Sequence, residues 1–324
     1  MPTSHLTIEV LLTDDERRRA LTEDARRGLT SQPKALSPVW FYDDHGSVLF
    51  DEITRLPEYY PTRAERRLLA AHAADIAEHA NADTLIELGS GTSDKTRLLL
   101  DAMSRLGLRR YAPLDVSRET LVASADALTH EYPELDIHAV VGDFHRHLDT
   151  LPAGRSRLVA FLGSTIGNLV PAERHRFLFD LDCTLRCQDH LLLGVDLVKE
   201  RTRLVAAYDD ALGVTAAFNR NALRVLNAEL GAHFVPELFD HVAVWDDEHQ
   251  WIEMCLRSSI DQDVAVDALG VTVHFDRGEV LRTEVSAKFT LDGIADELAA
   301  AGFVVDEIWD EPGEFALVLA HPHC

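Results

Sequence analysis

The segment TLIELGSGTSDKTRLLL, residues 84–100, decides the fold of this chain. It begins with a short apolar run, continues through a stretch rich in glycine and serine, and ends with the spacing of an amphipathic helix. Glycine lets a backbone pass close to a ligand, and the first turn of a helix offers amide groups that have no partner within the helix. The segment therefore predicts a buried strand, a ligand-binding loop and a helix.

The same alternation of apolar run and helical pattern continues from Thr84 to Lys199. Parallel strands with crossover helices produce this pattern, so we expect a Rossmann-like α/β fold with a doubly wound sheet. The strands are predicted at residues 84–88, 111–114, 137–141, 158–162 and 191–195. Ligands of such open sheets bind beyond the carboxyl ends of the strands, so we expect the functional residues in the segments that follow the strands.

The pattern changes after Lys199, which indicates a second domain. A long helical stretch is followed by alternating runs separated by turn-rich links, as in an antiparallel meander. The last residues return to a helix and a terminal hairpin. We therefore predict an inserted α+β substrate-binding domain of residues 1–63 and 199–289. The α/β domain is predicted over residues 64–198 and 290–324.

The composition argues against several classes of function. The chain has 324 residues, 46% of them hydrophobic, so it can bury a full core. Its formal net charge of -24 leaves no broad basic surface for nucleic acid or an anionic membrane. No stretch reaches the roughly 20 apolar residues of a membrane span. We therefore expect a soluble, cytoplasmic protein whose ligand is a small polar or cationic molecule. A monomer is also expected, although the composition does not determine the oligomeric state.

The chain has four cysteines, Cys183, Cys187, Cys255 and Cys324. Their spacing contains neither a CxxC pair nor a set of four zinc ligands. Reduced thiols and the absence of a metal site are therefore expected.

The glycine loop over residues 87–96 contains Gly89, Ser90, Gly91 and Lys95. It lacks the GK[ST] ending of a phosphate-binding Walker loop. It also lacks the third glycine of a dinucleotide fingerprint, which argues against a nicotinamide-dependent oxidoreductase. Taken alone, the loop could be a structural turn, so its meaning depends on the other strand ends.

Acidic residues end the next two predicted strands. Asp115 ends the second, where a carboxylate can accept hydrogen bonds from both hydroxyls of a ribose. Asp143 and Phe144 follow the third, where a carboxylate beside an aromatic ring can hold an adenine amino group. Surface turns would explain either aspartate singly, but the coincidence at consecutive strand ends favours a nucleoside site.

The fourth strand leads into residues 161–169, where Gly163 and Gly167 permit a close backbone approach and Asn168 supplies an amide. This is the position at which the acceptor of a transferred methyl group would lie. Together, the four strand ends predict S-adenosylmethionine as the cofactor.

The chain resembles the bacterial L-histidine Nα-methyltransferases, which open ergothioneine synthesis, from about Ala25 onward. The resemblance rests on long, specific motifs. Besides the glycine loop with Lys95 and residues 161–169, they lie at residues 40–43, 56–63, 208–210, 214–221, 252–254 and 283–286. It implies that the chain trimethylates the α-amine of histidine to give hercynine.

The resemblance also implies the substrate contacts. Asn168 and Tyr208 would hold the carboxylate of the amino acid, Tyr59 would line the pocket, and Tyr42 would lie near the amine as the catalytic residue. The imidazole would be bound by Glu284 and Ser286, with Met254 packed against it. From the residues alone, Glu284 and Ser286 are two apart in an alternating strand, so both side chains project from one face.

Several alternatives remain open from the sequence. The same chemistry on tryptophan or tyrosine would require a different residue opposite the side chain, and a protein that binds the cofactor without catalysis would keep the same cofactor motifs. Packing would also explain Met254 and the tyrosines.

Overall fold

The computed structural model describes residues 5–323, which form two compact units. The first unit contains the described chain up to Leu12, Pro61–Val198 and the chain from Lys288 onward. The second unit contains Thr13–Tyr60 and Lys199–Ala287. Residues 1–4 and Cys324, which belong to the predicted domains, lie outside the described residues.

The described chain alternates strands and helices. The strands are β1 (Leu6–Val10), β2 (Lys34–Ala35), β3 (Thr84–Leu88), β4 (Arg110–Asp115), β5 (Asp136–Val141), β6 (Arg157–Phe161), β7 (His190–Asp196), β8 (Phe239–Asp246), β9 (Trp251–Ser258), β10 (Gln262–Val266), β11 (Val271–Phe275), β12 (Val280–Ala287), β13 (Phe303–Glu311) and β14 (Phe315–Pro322). The α-helices are α1 (Asp14–Thr30), α2 (Asp44–Arg55), α3 (Pro61–Ala80), α4 (Arg97–Ser104), α5 (Arg118–Glu131), α6 (Pro171–Thr184), α7 (Arg201–Tyr208), α8 (Val214–Leu230) and α9 (Leu291–Ala300).

The first unit is built on one mixed sheet. Over the described residues its eight strands follow the order β1-β5-β4-β3-β6-β7-β14-β13, and the strands from β1 to β7 pair in parallel. β14 runs antiparallel to β7 and forms the terminal hairpin with β13. Every residue of β3 and β6 is buried, as expected for central strands covered on both faces. The α/β prediction and the terminal hairpin are confirmed.

The predicted domain boundary is wrong at the start of the chain. Residues 1–63 were assigned to the inserted domain, but β1 pairs in parallel with β5 from Leu6↔Ile137 to Val10↔Val141. An isolated five-residue strand cannot reveal its partner, because the pairing joins segments about 130 residues apart. The other boundaries differ by only a few residues.

The second unit has an antiparallel core, as the meander pattern predicted. β8, β9 and β12 pair antiparallel, and β2 extends the edge of β12 in parallel. β10 and β11 form a separate two-stranded sheet. The helical stretch after Lys199 divides into α7 and α8 at Gly213, whose φ of 74° favours glycine.

A buried ion pair joins the amino ends of β6 and β7. The guanidinium of Arg157 donates from Nε and Nη2 to Oδ2 of Asp189, at 2.9 and 2.7 Å, and the Arg157 amide donates to Oδ1 at 2.8 Å. These hydrogen bonds and the positive charge hold the pKa of the Asp189 carboxyl below its usual range against the opposing effect of burial. The pair therefore fixes the two strands at their start.

We expect Asp189→Asn to lower the free energy of unfolding by about 3 kcal/mol, because it leaves the buried Arg157 charge without its counter-charge. Urea unfolding measures the change. Asp180→Asn is the control, since it removes the partner of Arg176 in an exposed pair and should change stability by less than about 1 kcal/mol. Equal effects of the two variants would contradict the structural role of the buried pair.

Candidate functional site

The glycine loop after β3 presents bare backbone to open space. Gly89 and Gly91 adopt φ values of 69° and 51°, in the left-handed region that favours glycine. A Cβ atom at either position would meet no other atom within 4 Å. The loop thus has room for a ligand directly against its backbone.

A buried polar network supports this loop from below. The Glu87 carboxylate, at the end of β3, accepts hydrogen bonds from the hydroxyls of Thr96 (2.5 Å) and Tyr111. The Tyr111 and Ser93 hydroxyls lie 2.8 Å apart. Burial raises the pKa of Glu87 to about 7, although both hydrogen bonds oppose the shift. The network links β3, the loop and β4, and it explains why Ser93, with φ 55°, tolerates a left-handed conformation.

Sequence reasoning missed Glu87 and Tyr111. The available signal was an acidic residue and a tyrosine inside otherwise apolar strands, because buried polar groups need partners.

Asp115 brings the ends of β3 and β4 together. Its Oδ2 accepts a hydrogen bond from the Gly91 amide, and its Oδ1 accepts one from the Ser117 amide, both at 2.8 Å. Burial raises the pKa of Asp115, and the backbone hydrogen bonds oppose that shift. The carboxylate is therefore oriented next to the open face of the glycine loop.

An aromatic wall follows β5. The Phe144 ring packs edge-on against Phe161 and Phe177, with centroids 5.1 and 5.7 Å apart. The adjacent Asp143 carboxylate accepts a hydrogen bond from the His145 amide at 2.9 Å. A carboxylate beside a fixed aromatic face suits a flat, hydrogen-bonding ring such as adenine.

The loop after β6 contains two successive residues with positive φ, Gly163 (77°) and Ser164 (57°). A short 3-10 turn from Thr165 to Asn168 follows. Lys95 approaches this loop, because a Cβ atom on Gly163 would lie 3.6 Å from its Nζ. The structure thus places the predicted residues Lys95 and Gly163 side by side.

One polar atom in this region has no protein partner within residues 5–323. The Oγ of Ser90 is buried and makes no hydrogen bond there. Burying a hydroxyl without a hydrogen bond costs roughly 1–3 kcal/mol, so a ligand that supplies the missing partner is favoured. The orphan hydroxyl, the open glycine face, the Asp115 carboxylate and the Phe144 ring together fit S-adenosylmethionine.

The predicted substrate residues of the second unit share one apolar cluster. Tyr59, Tyr208 and Met254 are buried in it, and Tyr42 packs on its edge. The rings of Tyr59 and Tyr208 meet edge to face with centroids 6.1 Å apart, and the hydroxyl of Tyr208 lies 2.7 Å from Oγ of Ser286. Tyr42 packs against Phe218 at 5.5 Å. Asn168 belongs to the first unit.

Strand pairing aligns the predicted ring-binding residues. Glu284 of β12 lies opposite Met254 of β9, and Ser286 lies opposite Ile252. The pairing shifts between Arg282 and Glu284, and the alternation is regular from Glu284 onward. Glu284 and Ser286 therefore project from one face together with their partners on β9.

Two residues that sequence reasoning missed hold this part of β12 and α7 in place. The side-chain oxygen of buried Asn219 accepts a hydrogen bond from the Thr283 hydroxyl at 2.6 Å, within the irregular part of β12. His241 lies 2.8 Å from Asn219 through Nδ1 and 2.8 Å from the carbonyl of Tyr208 through Nε2. Burial lowers the pKa of His241, which favours the neutral ring. The network fixes the backbone at Tyr208.

Among the described residues, His190, Asp306 and His321 form one group whose ligand atoms lie within 4.8 Å of one another, at the amino end of β7. The expected absence of a metal site stays a prediction.

Cys183 and Cys255 are free thiols, whereas Cys187 is disulfide-bonded, so the expectation of a reduced thiol is wrong at that position.

No helix in the described part of the chain is both long enough and apolar enough to cross a membrane.

Comparison with known proteins identifies the family. The chain is 54% identical over 311 residues to the histidine N-alpha-methyltransferase of Mycobacterium tuberculosis, covering 95% of this chain and 97% of that protein. It is 53% identical over 317 residues to the enzyme of the same name from Mycolicibacterium smegmatis, covering 97% and 99%. Ergothioneine biosynthesis protein 1 of Neurospora crassa is 33% identical over 229 residues, which are 67% of this chain and 26% of that protein. Residues 21–322 match the family described as "Histidine-specific methyltransferase, SAM-dependent", and the chain therefore belongs to that family.

Proposed function

We propose that this chain transfers methyl groups from S-adenosylmethionine to the α-amine of L-histidine. Three successive transfers give hercynine, the first step of ergothioneine biosynthesis. The observation that carries the proposal is membership of a histidine-specific family over residues 21–322. The cytoplasmic location and the monomeric state stay predictions.

The cofactor contacts of the first unit follow from the chemistry at each strand end. Asp115 accepts hydrogen bonds from the ribose hydroxyls, and Asp143 accepts one from the adenine amino group beside Phe144. Gly89 and Ser90 contact the cofactor at the loop after β3, while Lys95 and Gly163 contact it at the loop after β6. When bound, S-adenosylmethionine supplies a methyl group from an already reactive sulfonium, so positioning is the main task of the protein.

The acceptor amine must be neutral to attack the methyl carbon. Tyr42 packs among the aromatic side chains of Phe50 and Phe218, and this apolar surrounding disfavours an ammonium ion. We propose that the Tyr42 hydroxyl passes the released proton to water. The tyrosine rings also attract the quaternary ammonium that forms, an effect of about 0.5–2 kcal/mol.

The substrate side chain is selected by charge and hydrogen bonding. Glu284 accepts a hydrogen bond from an imidazole N–H, and Ser286 meets the other ring nitrogen. An indole or phenyl ring cannot form both of these hydrogen bonds, and the lost bond costs about 1–3 kcal/mol. The same residues therefore favour histidine over tryptophan.

We expect Asp115→Ala to weaken S-adenosylmethionine binding by about 1–3 kcal/mol, because it removes an acceptor for the ribose and also releases the Gly91 amide. Titration calorimetry measures the dissociation constant. Asp136→Ala is the control, since Asp136 begins β5 at the opposite end of the sheet and pairs with Arg110. A dissociation constant for Asp115→Ala within twofold of the parent protein would mean that the ribose site is misplaced.

Histamine should be a very poor methyl acceptor. It lacks the carboxylate assigned to Asn168 and Tyr208, so it cannot form the hydrogen bonds that would hold the acceptor in place. Methylation of histidine and histamine is measured by mass spectrometry in the parent protein and in Tyr208→Phe. The variant should discriminate less between the two amines. Equal turnover of both by the parent protein would exclude these residues as carboxylate ligands.

The double variant Glu284→Ala with Met254→Val should lower kcat/KM for histidine steeply and raise the relative activity on tryptophan, because the ring pocket becomes larger and loses its charge. The measurement is kcat/KM for both amino acids. Glu253→Ala is the matched control, since Glu253 lies on the opposite face of β9 and pairs with Arg282. A ratio of histidine to tryptophan activity that changes by less than about twofold, roughly 0.4 kcal/mol, would show that neither residue reads the side chain.

A further inference from the structure

Glu65 is a buried carboxylate that the predicted site does not include. It lies in the second turn of α3, and its side chain is 0% exposed. One carboxylate oxygen, Oε2, is ion-paired with the Lys95 ammonium. The other, Oε1, accepts a hydrogen bond from the Gly163 amide at 2.6 Å. A single side chain therefore holds both the loop after β3 and the loop after β6.

The neighbouring strand is shaped to admit this carboxylate. A Cβ atom on Gly194 of β7 would clash with Oε1 of Glu65, so the carboxylate could not keep this position beside a larger residue. The glycine at this position thus makes room for Glu65 where β6 and β7 end. Burial removes the water that would solvate the carboxylate. The charged form is therefore destabilised unless an ion pair and hydrogen bonds compensate for the lost solvation.

The chemistry of the partners points to the cofactor. Lys95 keeps part of its surface exposed, at 22%, although its counter-ion has none. S-adenosylmethionine carries two cationic groups, its sulfonium and its ammonium, and one anionic group, its carboxylate. Of these three groups, a lysine ammonium at this edge therefore attracts only the carboxylate.

We propose that Glu65 is a positioning residue of the cofactor site. It fixes the Lys95 ammonium beside Gly163, so that the ammonium meets the carboxylate of S-adenosylmethionine and the two loops keep one relative arrangement. This inference rests on the cofactor roles proposed above for Lys95 and Gly163.

The protein contains a matched pair with no such role. Asp189 is equally buried and equally charged, but its pairing with Arg157 lies at the amino ends of the strands, away from the glycine loop. Glu65→Gln and Asp189→Asn both replace a buried carboxylate with an amide of the same shape. Both should lower the melting temperature.

The readout is the dissociation constant for two ligands, S-adenosylmethionine and 5′-methylthioadenosine, which lacks the carboxylate and the ammonium. Glu65→Gln should weaken S-adenosylmethionine binding about tenfold or more and leave 5′-methylthioadenosine within about twofold, since a charge-assisted contact accounts for at least one factor of ten. Asp189→Asn should leave both constants unchanged. An equal loss for both ligands in Glu65→Gln, or no loss for either, would overturn the proposal.

Lys95→Met separates this inference from the proposed function. If Lys95→Met leaves S-adenosylmethionine binding unchanged, the cofactor role of Lys95 fails and the positioning role of Glu65 fails with it. If Lys95→Met weakens binding but Glu65→Gln does not, the role of Glu65 alone is overturned. The double variant Glu65→Gln with Lys95→Met should bind S-adenosylmethionine about as weakly as Lys95→Met alone. If the losses in binding free energy of the two single variants simply add, Glu65 does not act through Lys95. If Glu65→Gln does not fold, Glu65→Asp replaces it, since this variant keeps the charge on a shorter side chain. It should also weaken binding of S-adenosylmethionine and not of 5′-methylthioadenosine.

Discussion

The parallel pairing of β3 between β4 and β6 is the constraint on which the first unit depends. It places Leu88 beside Leu114 and Glu87 beside Ala160, so the three strands end at one edge of the sheet. Their residues are almost entirely buried, so the groups that can reach a ligand lie in the segments that follow the strands. Loops separated by 20 to 70 residues in sequence therefore meet at one edge, where a nucleoside can contact all of them.

Strands that end at one edge do not by themselves fix the conformation of the loops that follow them. Buried acidic residues hold these loops in place. Glu87 and Glu65 each carry a carboxylate into the protein interior, where it is costly without partners. Their partners include groups of the loops after β3 and β6: the hydroxyl of Thr96 for Glu87, and the ammonium of Lys95 and the amide of Gly163 for Glu65. Such networks favour a single arrangement of both loops before the cofactor binds.

The second unit contains most of the residues that we propose for recognition of the amino acid. Tyrosine and phenylalanine side chains form its apolar cluster, while the face of β12 adds Glu284 and Ser286. The irregular pairing near Thr283 is held by Asn219, and the regular register of the strand resumes at Glu284. In the proposed function, the aromatic cluster offers a surface for the methylated amine, and the strand beside it offers directional groups for a ring.

The sequence by itself determined the α/β sheet, its glycine loop, the acidic residues at the strand ends and the division into two units, because periodicity and strand-end chemistry are local properties. Family resemblance, carried by long motifs, added the substrate residues that we propose. Only the tertiary structure decided that β1 belongs to the first unit, that Tyr208 meets Ser286, and that Glu65 joins Lys95 to Gly163. Tyr208 and Ser286 are 78 positions apart in sequence, and β1 pairs with a strand about 130 positions away. Glu65 links two separate loops. Such contacts arise from packing, which fixes distances that no local pattern of residues encodes.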